Sequence, residues 1–310
     1  MCRIMADTKK MTHEEWLELR KQGIGGSDAG AVCGLNPYSS PMKVFQDKTS
    51  QCTEETENEA IRQGHDLEDY VAQRFMEATG KKVRRSNFMY CHDKYPIMIA
   101  DDDRLVIGED AGLECKTANA YSADKWKDGK IPLHYVIQCY HYMAVTGKKT
   151  WYIAAVILGL DFVYYKLEWN DELIQRLIGA EENFWLEFVA RGKMPEPDGS
   201  ESCEDVIRQY FHTAEKGSTV ELPGIEESLG RREEILAQIE ELKKEQSRIE
   251  QEVKLQMKEH ELAVSGKYRI SWGTVNTANF DTKQFKLDEP ELYNSYAKVT
   301  SSRRFRVRAA

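Results

Sequence analysis

Apolar positions recur every three or four residues in several stretches of the chain. In others they form short β-type runs bounded by turn residues. The spacing predicts a helix over Asn58–Thr79, with Leu67, Val71, Phe75 and Ala78 as its apolar stripe and Gly80 ending it. Ile131–Thr146 reads as a second helix, closed by Gly147. A third starts at a cap on Asn170 or Asp171 and runs to about Ala190, with Ile174, Leu177, Ile178, Trp185 and Phe188 on its buried face. Near the start, Thr12–Lys21 carries Thr12 and Glu15 in capping-box register. The glycine-rich turn Gly23-Ile24-Gly25-Gly26-Ser27-Asp28 then leads into a short helix with Ala29, Ala31 and Val32. Asn36–Pro41 reads as a loop, Met42–Lys48 as helix, and residues 49–57 as a polar, exposed stretch.

Residues 82–90, 95–100, 104–108 and 111–117 are β-type runs, for which a meander is the simplest arrangement. Trp151–Leu158 and Phe162–Trp169 are strands joined by Gly159-Leu160-Asp161 as a hairpin. The order helices, strands, helix, hairpin, helix predicts an α/β fold with a mixed central sheet and helices on both sides. Gly192, Pro195 and Pro197 mark a boundary, so the first domain is expected over 1–197. From 198 to 262 the expectation is a linker and a helical arm. Ile235, Ile239, Leu242, Gln246, Ile249 and Val253 there follow the spacing of a coiled-coil seam with one polar member. At this length a two-helix hairpin or packed arm is expected rather than a long free dimer. Residues 263–310 form a small basic segment, with short strands expected at Tyr268–Trp272 and Arg303–Arg308.

A chain of 310 residues, 41% hydrophobic and 31% charged, can bury a large core. It contains no apolar run of roughly 18 residues, so no membrane span is expected. Its first residues hold no signal-peptide-like stretch, and an intracellular, cytoplasmic location is expected. The seven cysteines are scattered, with no CxxC or Cys/His ligand spacing, which argues against zinc and iron–sulfur centres and for reduced thiols. The net charge of −9 argues weakly against nucleic acid, but it is unevenly spread. Residues 226–262 hold 11 Glu against 7 Lys and Arg, a net of −4, while residues 263–310 hold 9 Lys and Arg against 4 Asp and Glu, a net of +5. Binding depends on such local surfaces.

The candidate chemistry centres on Leu113-Glu114-Cys115-Lys116-Thr117. On a strand Glu114 and Lys116 share one face, with Leu113 and Cys115 on the other. Ala100-Asp101-Asp102-Asp103-Arg104-Leu105 supplies carboxylates upstream; Asp101 and Asp103 share a face, and spacing alone does not choose between them. Acids and a lysine so placed suit a divalent cation, Mg²⁺ or Mn²⁺ rather than zinc, and hydrolysis of phosphodiesters. Glu68, in Gln63-Gly64-His65-Asp66-Leu67-Glu68, lies at the edge of its helix's apolar stripe and could reach such a cleft, whereas His65 reads as a surface or capping residue. Gly25-Gly26-Ser27-Asp28 resembles a phosphate cradle, to which Arg20 could add a guanidinium. Tyr135, Gln138 and Tyr142 share one helix face, which either lines a polar cleft or simply packs.

Taken together, these blocks resemble the YqaJ-like viral recombinase family, relatives of lambda exonuclease within the PD-(D/E)xK nucleases. The resemblance covers roughly residues 12–190, in ordered blocks: Arg20 through Gly34-Leu35-Asn36-Pro37, Gly64–Glu68, Ala100–Leu105, Gly112–Thr117, and Ile131-Pro132 through Gln138 to Thr146-Gly147. It implies Asp103 and Glu114 as metal ligands with the Cys115 backbone carbonyl, Lys116 as catalytic lysine, Glu68 as the helix acid, and Gln138 bordering the site. It also implies that Arg20 and Ser27 hold a DNA 5′-phosphate, hence processive 5′→3′ digestion of duplex DNA ends in a phage or prophage recombination system. A single-strand annealing protein as partner and a homo-oligomer, a ring-shaped trimer, follow from the same likeness. The alternatives are a structure- or site-specific endonuclease of the same fold, and a non-catalytic DNA-binding scaffold acting through the helical arm.

Overall fold

A computed structural model describes residues 2–50, 59–101 and 103–308. The polar stretch expected to be exposed lies outside the described residues from 51 onward, and so does Asp102. Strand β1 (Cys2–Asp7) precedes helices α1 (His13–Arg20), α2 (Gly26–Val32), α3 (Pro41–Thr49) and α4 (Glu59–Thr79). The capping box starts α1: Thr12 Oγ1 accepts from the Glu15 N–H at 3.2 Å, and Glu15 accepts from the Thr12 N–H at 2.8 Å.

Strands β2 (Val83–Arg85), β3 (Phe88–His92), β4 (Ile99–Asp101), β5 (Arg104–Val106) and β6 (Ala111–Ala118) follow, then α5 (Leu133–Thr146), β7 (Thr150–Ile157) and β8 (Asp161–Glu168). They do not form one meander. Five strands make the central sheet in the order β2–β5–β6–β7–β8, while β3 and β4 leave it to pair with β1. The break falls at Ser86 and Asn87, where the run expected over 82–90 divides into β2 and β3. Met89, Cys91 and Ile99 then bury against Met5, Trp16 and Leu19 in a small core of their own. β6 and β7 run parallel, with α5 as the crossover that a parallel pair requires, and β7 and β8 form the expected hairpin.

The alternation expected of β6 decides what each face of the sheet carries. Leu113 and Cys115 bury against Val71, Ala72 and Phe75 of α4. The stripe of α4 is narrower than its spacing suggested, for Leu67 is half-buried and Ala78 exposed. On the opposite face, Cys139 and Met143 of α5 join Ile153, Ala155 and Ile157 of β7. Ile174, Leu177 and Ile178 of α6 (Asp171–Phe184) complete that core, and a π-helical turn over Trp185–Val189 extends α6. The first compact unit continues past Pro197 to His212, because α7 (Glu201–Tyr210) seats Cys203 and Val206 against Met42 of α3.

The second unit, Thr213–Ala310, contains α8 (Glu226–Met257), an uninterrupted helix of 32 residues. It stands where a two-helix hairpin or a packed arm was expected, continuing through Gly230 without a turn, and its seam is exposed, Leu242 at 65% and Ile249 at 50%. After buried Met257 the chain reverses at Lys258, whose φ is +51°, into the hairpin β9 (Leu262–Ser265) and β10 (Tyr268–Ser271). Helices α9 (Thr282–Asp288) and α10 (Pro290–Tyr296) follow. Arg303–Arg308, expected as a strand, adopts no regular structure. Among the described residues no helix is long and apolar enough to cross a membrane.

Candidate active site

On the α5 face of β6, Glu114 is 1% exposed. Its Oε1 accepts from Gln138 Nε2 at 2.7 Å and meets Lys116 Nζ at 2.5 Å, while its Oε2 has no partner. Asp103, at the turn into β5, is tied to the same strand: its Oδ2 accepts from the Cys115 N–H at 2.8 Å. Burial and then the charge of Glu114 raise the Asp103 carboxyl well above the usual carboxylate range. Burial likewise raises Glu114, against the opposing pull of Lys116. For Lys116, burial favours the neutral amine, but Glu114 and Asp103 outweigh it and raise its pKa. Two buried acids beside one lysine concentrate more negative charge than that lysine neutralises.

That imbalance, the unpartnered Glu114 oxygen and an all-oxygen donor set fit a hard divalent cation. No group of three or more acidic, His or Cys side chains fit to hold a metal occurs among the described residues. Asp103, Glu114 and a backbone carbonyl such as that of Cys115 would therefore leave several positions to water, as Mg²⁺ commonly does.

Glu68 approaches from α4, and its charge acts on both Asp103 and Glu114. It is already paired with Arg104, a buried guanidinium that also holds Asp69 at 2.6 Å and donates to the Asp103 carbonyl at 2.8 Å. Arg104 thus locks the helix acid to the start of β5, beside Asp103. In sequence Arg104 stands out only as the neighbour of Asp103, with no sign of its partners on α4. His65 is exposed, as expected.

Tyr135, Gln138 and Tyr142 do line the site from α5. The Tyr135 ring lies 4.8 Å from Lys116 Nζ and stacks on Trp126. Gln138 Nε2 also donates to the Tyr142 hydroxyl at 3.0 Å. His134, unremarked in sequence, has a buried Nε2 without a partner, and burial and then Lys116 lower its pKa to about 4. Tyr142 packs against Gly26, where an added Cβ would stand 2.6 Å from the ring. Gly26→Ala is therefore expected to displace Tyr142 and, through Gln138, Glu114. It should destabilise by about 1–3 kcal/mol and slow turnover by roughly 10²-fold, read by thermal melts and single-turnover kinetics.

Gly26 also opens the helix that carries Ser27. Arg20 Nη2 donates to Ser27 Oγ at 2.8 Å, and its guanidinium lies 4.9 Å from the Trp16 ring. Asp28 accepts from Arg20 at 3.4 Å, from Lys48 at 2.6 Å and from the Gly25 N–H at 2.9 Å. Burial opposes its charge, but Lys48 and Arg20 bring its pKa down to about 2. Lys48, a second residue missed in sequence, thus fixes the acid that aims Arg20. Asp101 belongs to this side, because Trp16 Nε1 donates to its Oδ2 at 2.5 Å. Of the two described aspartates, only Asp103 is bonded to the strand bearing Glu114 and Lys116.

The model of the YqaJ-like viral recombinase domain matches residues 15–149. Uncharacterized protein YqaJ of Bacillus subtilis (strain 168) is 36% identical over 309 residues, covering 98% of this chain and 97% of that protein. Among solved structures, LHK-Exo in complex with dAMP superposes with a TM-score of 0.51 at 22% identity, over 65% of this chain and 100% of that one. The structure of LHK-Exo described as an alkaline exonuclease from Laribacter hongkongensis gives 0.50 at 21%, with the same coverage. Those two structures share the fold, a mixed central sheet flanked by helices, and the near full-length relative fixes the lineage: the chain belongs to the YqaJ-like viral recombinase family.

Proposed function

We propose that this chain is a divalent-metal-dependent DNA exonuclease that digests duplex ends in the 5′→3′ direction and leaves 3′ single strands. The observation that carries the reading is Glu114, a fully buried carboxylate with one oxygen unpartnered, set beside Asp103 and held by Lys116 and Gln138. Family membership and a fold shared with an alkaline exonuclease support it, and one of the neighbours was solved in complex with dAMP.

Asp103, Glu114 and the Cys115 carbonyl would hold the cation, Mg²⁺ with Mn²⁺ as substitute. When bound, it supplies a water of lowered pKa and positive charge at the scissile phosphate. Lys116 stays protonated against Glu114, where its ammonium orients the attacking water and faces the charge that develops on phosphate. Gln138 keeps Glu114 in one rotamer, and Glu68 adds negative charge while Arg104 holds it in place. Arg20 and Ser27, steadied by Asp28 and Lys48, would receive the 5′-phosphate of the digested strand. A single-strand annealing protein and a trimeric assembly are the partners this reading calls for.

The test uses linear duplexes with 5′-phosphate or 5′-hydroxyl ends. The native chain is expected to prefer the phosphorylated end, and Arg20→Ala to lose about tenfold or more on that end alone, as removal of a charge-assisted bond implies. Equal rates on both ends in both proteins would remove Arg20 and Ser27 from end recognition.

A further inference from the structure

We propose that the end of α8 and the β9–β10 hairpin form a binding surface for single-stranded DNA, with Trp272 as its stacking platform. An open hollow of about 530 Å³ lies there, lined by Gln251, Lys254, Leu255, Lys258 and Trp272. Its size is that of a small-ligand site. Trp272 is anchored at the root of the hairpin, where its backbone N–H donates to the Glu261 carbonyl at 2.8 Å, yet the residue remains 47% exposed. Leu255, at 76% exposure, adds apolar surface beside it.

Charge chooses the occupant. Two lysines and no carboxylate line the hollow, although α8 as a whole is acidic. Lys254 has only a 3.9 Å approach to Glu250, and Lys258 has no ion pair among the described residues. The chain around the hairpin continues the pattern: Tyr268 is exposed with Lys267 Nζ 5.4 Å from its ring, and residues 263–310 carry +5. Exposed aromatic rings interleaved with cations suit a strand whose bases are free to stack and whose phosphates need neutralising. In a duplex those base faces already stack on each other. The source of such a strand rests on the proposed exonuclease, since digestion of one strand frees its complement.

The test is anisotropy of a fluorescein-labelled 20-nucleotide oligothymidylate with the full chain in EDTA. Trp272→Ala is expected to weaken binding about tenfold and Trp272→Phe to retain most of it, the range for one base–aromatic stack. Lys254→Gln with Lys258→Gln should reduce the slope of log K against log salt by about 1.4, two phosphate contacts on a single strand. A blunt duplex of equal length should change less than twofold with Trp272→Ala. Unchanged single-strand affinity in both the tryptophan and lysine variants overturns the proposal. Equal losses on single strand and duplex also overturn it, as does a change in solution mass of Trp272→Ala with DNA affinity intact, which would mean the hollow seats protein. A native chain that cuts no DNA but binds single strands through Trp272 supports the surface and removes only the proposed source of its strand.

Discussion

Lys116→Met is expected to reduce Mg²⁺-supported DNA hydrolysis by about 10²–10³-fold, the effect of removing one preorganised charge from an active site. Methionine keeps much of the side-chain length and its packing against Tyr135, but removes the ammonium that meets Glu114 at 2.5 Å and neutralises part of the Asp103–Glu114 charge. The two acids are already raised by burial, so they answer the loss by holding protons more tightly. Circular dichroism and melting curves separate a folded, inactive variant from an unfolded one. A folded Lys116→Met chain that digests DNA within twofold of the native rate would remove the catalytic assignment.

Loss of either His141 or Glu181 alone is expected to cost about 3–5 kcal/mol, and loss of both to leucine much less, because a single deletion strands a buried charge. Both residues are fully buried. His141 Nδ1 meets the two oxygens of Glu181 at 2.8 and 3.1 Å, and its Nε2 lies 2.8 Å from the Ile99 carbonyl oxygen. The Ile99 carbonyl can only accept, so Nε2 carries a proton, and a second proton bridges Nδ1 and Glu181. Burial alone would lower the His141 pKa, but Glu181 outweighs it and raises it; Glu181 itself is raised by burial. Both groups therefore bind protons more tightly folded than unfolded. The stabilisation from His141 is complete below about pH 6.5, the unfolded imidazole value, and is lost as pH rises through the raised folded value. In urea unfolding the native chain is expected to lose stability relative to the double leucine variant as pH rises above about 6.5. A difference independent of pH would contradict the charged pair.

What could be read from sequence were the features with a local cause. Period-two alternation put Glu114 and Lys116 on one face of β6, and the Thr12–Glu15 spacing started α1 where the capping box forms. The choice between Asp101 and Asp103 was not local. It depends on β4 leaving for the second sheet, where Trp16 takes Asp101, and on β5 pairing with β6, where the Cys115 N–H takes Asp103. The family pattern pointed to Asp103 without that reason. Arg104 and Lys48 look like surface residues in any composition window, and only the fold shows them buried against carboxylates from other elements. His141 and Glu181 lie 40 positions apart on two helices. Strand β1 has little alternation and finds its partner β3 more than 80 residues away. Arg303–Arg308 shows the converse, since its alternation does not make it a strand.

The most direct measurement of the central claim follows a linear duplex carrying different labels at its 5′ and 3′ ends, digested with Mg²⁺. The account predicts early release of the 5′ label as mononucleotide while the 3′ label stays in long strands, with no release in EDTA. Discrete internal fragments, or digestion that proceeds equally without a divalent cation, would contradict it.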